Sequence, residues 1–159
     1  MKALVVYDSV FGNTEKVAQE MGRALGSQAE VQTLRVGDVR PEHLEGLDAL
    51  IVGSPTRAFS PTPATKTWLR GLPPNSLRGV RVAAFDTRMS VEDVDSAILS
   101  FFVKIFGYAA KPIGDRLARK GGEQIMPPEG FIVEGTEGPL RDGELERAAD
   151  WVRQMLPES

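Results

Sequence analysis

The sequence predicts an α/β protein built on one doubly wound, five-stranded parallel sheet, and three observations carry that prediction. Short apolar runs recur at residues 3–7, 49–53, 80–85 and 131–133. They are apolar at successive rather than alternate positions, the pattern of strands covered on both faces. Segments of helical spacing separate them, which is the order a parallel sheet with crossover helices requires.

The first strand, Ala3-Leu4-Val5-Val6-Tyr7, runs into the turn Asp8-Ser9-Val10-Phe11-Gly12-Asn13-Thr14. A helix follows, because Val17, Ala18, Met21 and Leu25 fall on one stripe that ends near Gly26. Residues 31–36, VQTLRV, mix polarity as a strand at a sheet edge does. The polar approach to the third strand holds the only histidine, His43, read as a surface residue. Trp68 and Trp151 lie on helices and read as packing. After the fourth strand, Ser90-Val91-Glu92-Asp93 caps a long helix carrying Val94, Ile98, Phe101, Phe102, Ile105 and Phe106. Past Gly107 a second helix starts near Pro112 and closes at Gly121-Gly122. Residues 131–133 complete the sheet. Leu145, Ala148, Ala149, Val152 and Leu156 give the last helix its apolar face, with Asp142 as cap and Pro157 as stop. With 42% hydrophobic residues and no repeat or linker, residues 1–159 read as one domain with a substantial core.

Composition narrows the function classes. A net charge of −3 and a pI near 5.3 lack the basic excess that nucleic acid or an anionic membrane would favour. Zero cysteines exclude disulfides, thiolate metal sites, iron–sulfur clusters and cysteine nucleophiles, so redox chemistry requires a bound cofactor. No apolar stretch approaches the roughly 18 residues of a membrane span. The expectation is a soluble cytoplasmic protein.

In an open parallel sheet, ligands sit beyond the carboxyl ends of the strands, where the winding reverses, and the turn after the first strand lies there. Its single glycine excludes the G-x-G-x-x-G dinucleotide and G-x-x-x-x-G-K-[ST] triphosphate patterns. A phospho-accepting receiver needs an acid after its third strand, where this chain has Gly53-Ser54. What remains is one phosphate held by neutral donors: the hydroxyls of Ser9 and Thr14, the Asn13 amide, the backbone N–H groups from Val10 to Thr14, and the positive end of the first helix. Gly12 lets the backbone close around such a ligand. Helix capping alone would equally suit Ser9, Asn13 and Thr14. Two further loops favour the ligand. Ser54, Pro55, Thr56, Arg57, Ala58 and Phe59 bring hydroxyls, a guanidinium and an aromatic over the same crevice, and Asp86, Thr87 and Arg88 form the opposite wall. A phosphate turn with two flanking walls fits a mononucleotide carrying a flat ring.

At these residues the chain resembles the flavodoxin family. S-V-F-G-N-T, with Ala18 four residues beyond Thr14, is similar to that family's phosphate signature; Gly53-Ser54-Pro55-Thr56 is similar to its second loop, and GELERAADWV to its last helix. Phe11 stands where the family usually has threonine, and no tyrosine follows the fourth strand. The resemblance implies sheet order 2-1-3-4-5 in three α/β/α layers, with flavin mononucleotide (FMN) between the first and third strands, flavodoxins being a standard case of that rule. It also implies an electron carrier working between a reductase and an acceptor protein. The alternatives are a flavin-dependent oxidoreductase, of the quinone-reductase or protoporphyrinogen-oxidase-like kind, and a non-redox interaction module. Residues 101–106 read first as core and otherwise as a docking or homodimer surface. Arg57 and Arg88 are expected near the ring. One cation about 6 Å from an anionic ring is worth roughly 3 kcal/mol at an effective dielectric of 20, which raises the flavin's potential unless both arginines are merely solvated.

Overall fold

The computed structural model describes residues 1–57, 59–90, 97 and 107–157. Ala58 and the phenylalanine-rich segment lie outside the described residues. Four strands, β1 (Lys2–Tyr7), β2 (Glu30–Arg35), β3 (Ala49–Pro55) and β4 (Arg81–Met89), pair in parallel in the order β2-β1-β3-β4. The position beyond β4 is filled by two pieces, β5 (Glu123–Gln124) at its start and β6 (Glu129–Val133) at its end, both parallel to it. The predicted 2-1-3-4-5 order is therefore present, with its fifth position in two segments.

Helices cover both faces. α1 (Asn13–Leu25) and α4 (Glu144–Val152) lie on one side, where Val17, Met21, Leu25, Trp151 and Val152 pack on Val5, Ile51, Phe85 and Phe131. α2 (Pro63–Gly71) and α3 (Ala110–Arg119) lie on the other, where Leu69, Ile113 and Leu117 pack on Leu4, Val6, Leu50, Val52 and Val82. Successive side chains of β1 thus enter opposite cores, which is why the run is apolar throughout. Each such side chain fully buried contributes about 1.5–3 kcal/mol relative to exposure. Phe85, Phe131 and Trp151 meet edge to face, with centroids 6.0 to 6.3 Å apart.

Three boundaries differ from the sequence reading. β4 does not end at Phe85: β6 supplies a partner from Phe85 opposite Glu129 to Met89 opposite Val133, so residues 86–89 are strand rather than loop. The cap of α4 is Gly143, in the left-handed conformation, and not Asp142. Leu145 is exposed at 38%, while its neighbour Glu144 is buried, accepting from the Ile132 N–H at 2.7 Å and from Arg147. A short 3-10 turn, Arg153–Met155, carries the buried Met155 past the end of α4 before Pro157. Among the described residues no helix is long and apolar enough to cross a membrane.

Candidate cofactor site

β1 ends at Tyr7 and α1 begins at Asn13, so the turn between them sits at the carboxyl edge of the sheet beneath a helix N-terminus. Gly12 has φ 94°, and a Cβ built there meets nothing within 4 Å. Glycine is needed for the left-handed backbone rather than for room. The Ser9 hydroxyl oxygen accepts from the N–H of Gly12 at 3.1 Å and of Glu15 at 3.4 Å, which closes the turn and leaves its own proton to donate. Asn13 and Thr14 are in the first helical turn, where N–H groups have no intrahelical acceptor. Among the described residues the amides of Val10, Phe11, Asn13 and Thr14 donate to no protein group. The Asp8 carboxylate is occupied elsewhere: it accepts from the Ser9 N–H at 2.9 Å, Arg35 at 3.3 Å and the Thr62 hydroxyl at 2.5 Å. It braces the turn.

The crevice above this turn has a volume of about 290 Å³, near the lower end of the range for small-ligand sites. Ser9, Val10, Phe11, Asn13 and Thr14 line it from below, Pro55, Thr56 and Arg57 from the end of β3, and Thr87 and Arg88 from β4. The Arg57 guanidinium lies 5.7 Å from the Phe11 ring centroid. Thr14 and Thr87 join across the floor, hydroxyl to hydroxyl, at 2.8 Å. Val10 and Phe11 are 51% and 45% exposed at the mouth.

Three lining residues were absent from the sequence-derived set: Met89, Val133 and Thr136. Met89 enters because β4 runs two residues past Thr87. Val133 and Thr136 enter because the chain after β6 folds back on itself, with Val133 bridged to Leu140 and the Glu134 N–H donating to the Pro139 carbonyl at 2.8 Å. The side-chain amide of Asn13, expected on the phosphate, donates instead to the Glu137 carbonyl of this fold-back at 3.0 Å. Nothing in the local sequence EGTEGP marks it as a wall.

Some expected residues do not face the crevice. Ser54 is fully buried, donating to the Pro55 carbonyl and accepting from the Thr62 N–H at 3.0 Å, so it holds the loop rather than a ligand. Phe59 is a half-buried residue of the adjoining turn, with φ 68°, outside the lining. Asp86 is completely buried. Its position within β4 explains why: Asp86 and Arg88 are two residues apart and share one face, while Thr87 points to the other. The Asp86 carboxylate takes both arms of Arg88, at 2.6 and 2.7 Å, and the Ala110 N–H at 2.9 Å. Burial pushes this carboxyl above its ordinary value, against the pull of Arg88 and the Ala110 N–H. Arg88 also stacks on Tyr108, 3.7 Å from the ring centroid, so its charge is largely committed. Burial in turn raises the Tyr108 phenol. Arg57 differs, since among the described residues it is exposed and forms no ion pair.

The donor set fits FMN. Four open amides, the hydroxyls of Ser9 and Thr14 and a helix N-terminus suit a phosphate monoester, and among the described residues no carboxylate lines the crevice to repel it. Phe11, Met89, Val133 and the stem of Arg57 offer apolar surface for a ring.

Comparison with known proteins agrees with this geometry. A family model described as flavodoxin matches residues 5–151. A curated relative, NADPH-dependent diflavin oxidoreductase 1 of Emericella nidulans, is 32% identical over 133 residues, which cover 79% of this chain and 18% of that protein. The chain thus spans under a fifth of that relative's length. Among solved structures, a flavodoxin from the domain Archaea superposes with a TM-score of 0.74 at 21% identity, covering 98% of this chain and 96% of that one. Oxidised flavodoxin 1 from Bacillus cereus gives 0.75 at 15% identity, with 98% and 97% covered. Rubredoxin oxygen:oxidoreductase from Desulfovibrio gigas gives 0.73 at 18% identity, with 97% of this chain matching 35% of that longer one. At these identities the structures establish the fold.

Proposed function

Because this chain belongs to the flavodoxin family, whose cofactor is flavin mononucleotide, we propose that it is an electron-transfer protein passing electrons between a reductase and an acceptor protein. The observation that carries this reading is the closed turn at residues 8–14. Its carboxylate is spent on bracing and the Ser9 hydroxyl closes the turn as an acceptor with its proton still to give, while its amides at the start of α1 stay open beneath the crevice. When bound, the flavin supplies the redox chemistry.

The protein's own residues then have three tasks. The amides of Val10, Phe11, Asn13 and Thr14 and the hydroxyls of Ser9 and Thr14 hold the phosphate. Thr56, Thr87 and Met89, at the strand ends, position the rest of the cofactor and exclude water from its inner side. Arg57 places the one unmatched positive charge among the described lining residues at the mouth. None of those lining residues is a histidine or carboxylate, so a substrate reaction that moves protons has no obvious side-chain agent there, whereas electron transfer needs none.

The relatives that belong to longer redox proteins make partner exchange a sensible reading, since their flavodoxin-like portion is one part of a chain. The test is turnover. Protein loaded with FMN and given NADPH, NADH or a quinone should turn over negligibly alone and should reduce cytochrome c once a flavin reductase is added. Rapid quinone reduction from NAD(P)H without a partner would move the protein to the oxidoreductase class.

A further inference from the structure

Positive charge also gathers away from the crevice. Between α2 and α3 lies a cavity of about 130 Å³ whose wall includes Lys66 and Arg70 of α2, Arg116 of α3, and Ser60. Among the described residues no carboxylate lines it. Among the described residues none of these three cations forms an ion pair, although the chain carries a net charge of −3 and nearby Lys111 is matched to Asp115. Acidic side chains are plentiful in this protein, and none of the described ones lines this cavity. Lys66 and Arg70 are one helical turn apart, a spacing at which like charges repel, and Arg116 adds a third from the facing helix. Such a cluster is relieved by an anion from outside the chain.

Size and chemistry narrow the ligand. The cavity is well below the roughly 300–1,000 Å³ of sites that take ring-bearing molecules, so a nucleotide base or a flavin does not fit inside it. Two guanidiniums and an ammonium suit a compact oxyanion, which arginine forks bind through paired hydrogen bonds. Lys66 is already directed inward, its ammonium donating to the Ser60 hydroxyl at 3.2 Å. Pro61 and Pro112 stiffen the rim.

We propose that this cavity is a second anion site, separate from the crevice, which takes a phosphate group, either free or as the end group of a larger phosphorylated molecule. The site adjoins the redox crevice through one turn of chain. Arg57, which lines the crevice, and Ser60, which lines the cavity, exchange backbone hydrogen bonds at 2.8 and 3.0 Å.

The test is calorimetric titration of FMN-saturated protein, whose crevice is filled, with inorganic phosphate, pyrophosphate and glycerol phosphate at fixed chloride. Flavin-free protein is titrated in parallel, so the result stands whether or not flavin binds. We expect saturable one-to-one binding that persists with FMN present and weakens at least tenfold in Arg70→Ala/Arg116→Ala and about threefold or more in Lys66→Gln. These variants relieve repulsion, and their melting temperatures without phosphate should equal or exceed that of the unaltered protein. Tighter binding of glycerol phosphate or pyrophosphate than of phosphate points to an end group, and equal binding to the free ion. Absence of saturable binding by the unaltered protein overturns the proposal. So does binding that FMN abolishes, or that survives in Arg70→Ala/Arg116→Ala.

Discussion

Thr14 and Thr87 meet hydroxyl to hydroxyl at 2.8 Å, buried at the floor of the crevice, and so tie the first helical turn of α1 to the wall strand β4. One of the two protons serves the contact and one remains for a ligand. Thr14→Val removes a donor beside the phosphate position. A hydrogen bond to a charged group is worth about 1.5–3 kcal/mol, so FMN affinity should fall by roughly 10- to 100-fold. Thr87→Val leaves Thr14 in place and should cost less than about tenfold. Titration of flavin fluorescence against both variants checks the order, and a Thr14→Val variant that binds FMN like the unaltered protein removes the turn from the cofactor site.

Arg57 and Arg88 looked alike in the sequence, but only Arg57 keeps an unmatched charge, since Arg88 is forked onto Asp86. Exposed charges contribute up to about 1 kcal/mol, which for one electron is roughly 40 mV. Arg57→Ala should lower the potential of bound FMN by up to that amount, and the difference should shrink as salt rises. A redox titration in which the variant's potential stays put or rises contradicts this.

Asp86 depends on Arg88. Gly130 allows their contact, because a Cβ there would lie 2.0 Å from the Arg88 Nε. Arg88→Met leaves a buried carboxylate without its counter-charge, a loss of about 3–5 kcal/mol at neutral pH. The sign with pH follows from the raised Asp86. A carboxyl raised in the folded state is penalised when ionised, so the penalty is full above its folded pKa. It fades as pH falls toward the unfolded value near 4. Urea unfolding of Arg88→Met should thus show a smaller deficit at pH 5 than at pH 7, and Asp86→Asn in the same chain should restore part of it.

Glu144 has the opposite sign. Burial raises it, but the bonds from Arg147 and the Ile132 N–H outweigh burial and hold its carboxyl below the usual range. Its contribution is present above the unfolded pKa of about 4.3 and is lost as pH falls through the lower folded one. Glu144→Gln should cost about 1–2 kcal/mol at pH 7, and the two proteins should converge below about pH 4. A deficit that is constant from pH 7 to pH 3 would place its origin outside this ion pair.

How much of this was legible in the sequence depended on whether a feature is local. The strand, turn and helix of residues 3–25 could be read directly, because the apolar period changes from consecutive to helical across one polar turn, and Gly12 marks the left-handed position. The end of β4 could not. Asp86, Thr87 and Arg88 are polar and look like a loop, and only pairing with β6, 44 residues on, makes them strand. Within that strand Thr87 and Arg88 line the crevice, while Asp86 is buried and bound to Arg88. Leu145, read as part of the apolar face of the last helix, is exposed, and the burial of Glu144 left no signal, since an apolar stripe is visible in a sequence and a carboxylate caught by a strand N–H and an arginine is not. Asn13 lines the crevice, but its amide, expected on a phosphate, is bound within the protein. Its partner, the Glu137 carbonyl, lies 124 residues away and left no local signal.

The central claim is that the open amides and hydroxyls of residues 9–14 hold the phosphate of FMN. The most direct measurement is the visible spectrum of the protein purified without added flavin, followed by titration of flavin-free protein with FMN and with riboflavin. The account predicts a flavin spectrum near one equivalent or stoichiometric uptake of FMN at micromolar concentration, with riboflavin, which lacks the phosphate, bound at least tenfold more weakly. A colourless protein that ignores micromolar FMN, or one that binds both compounds equally, contradicts it.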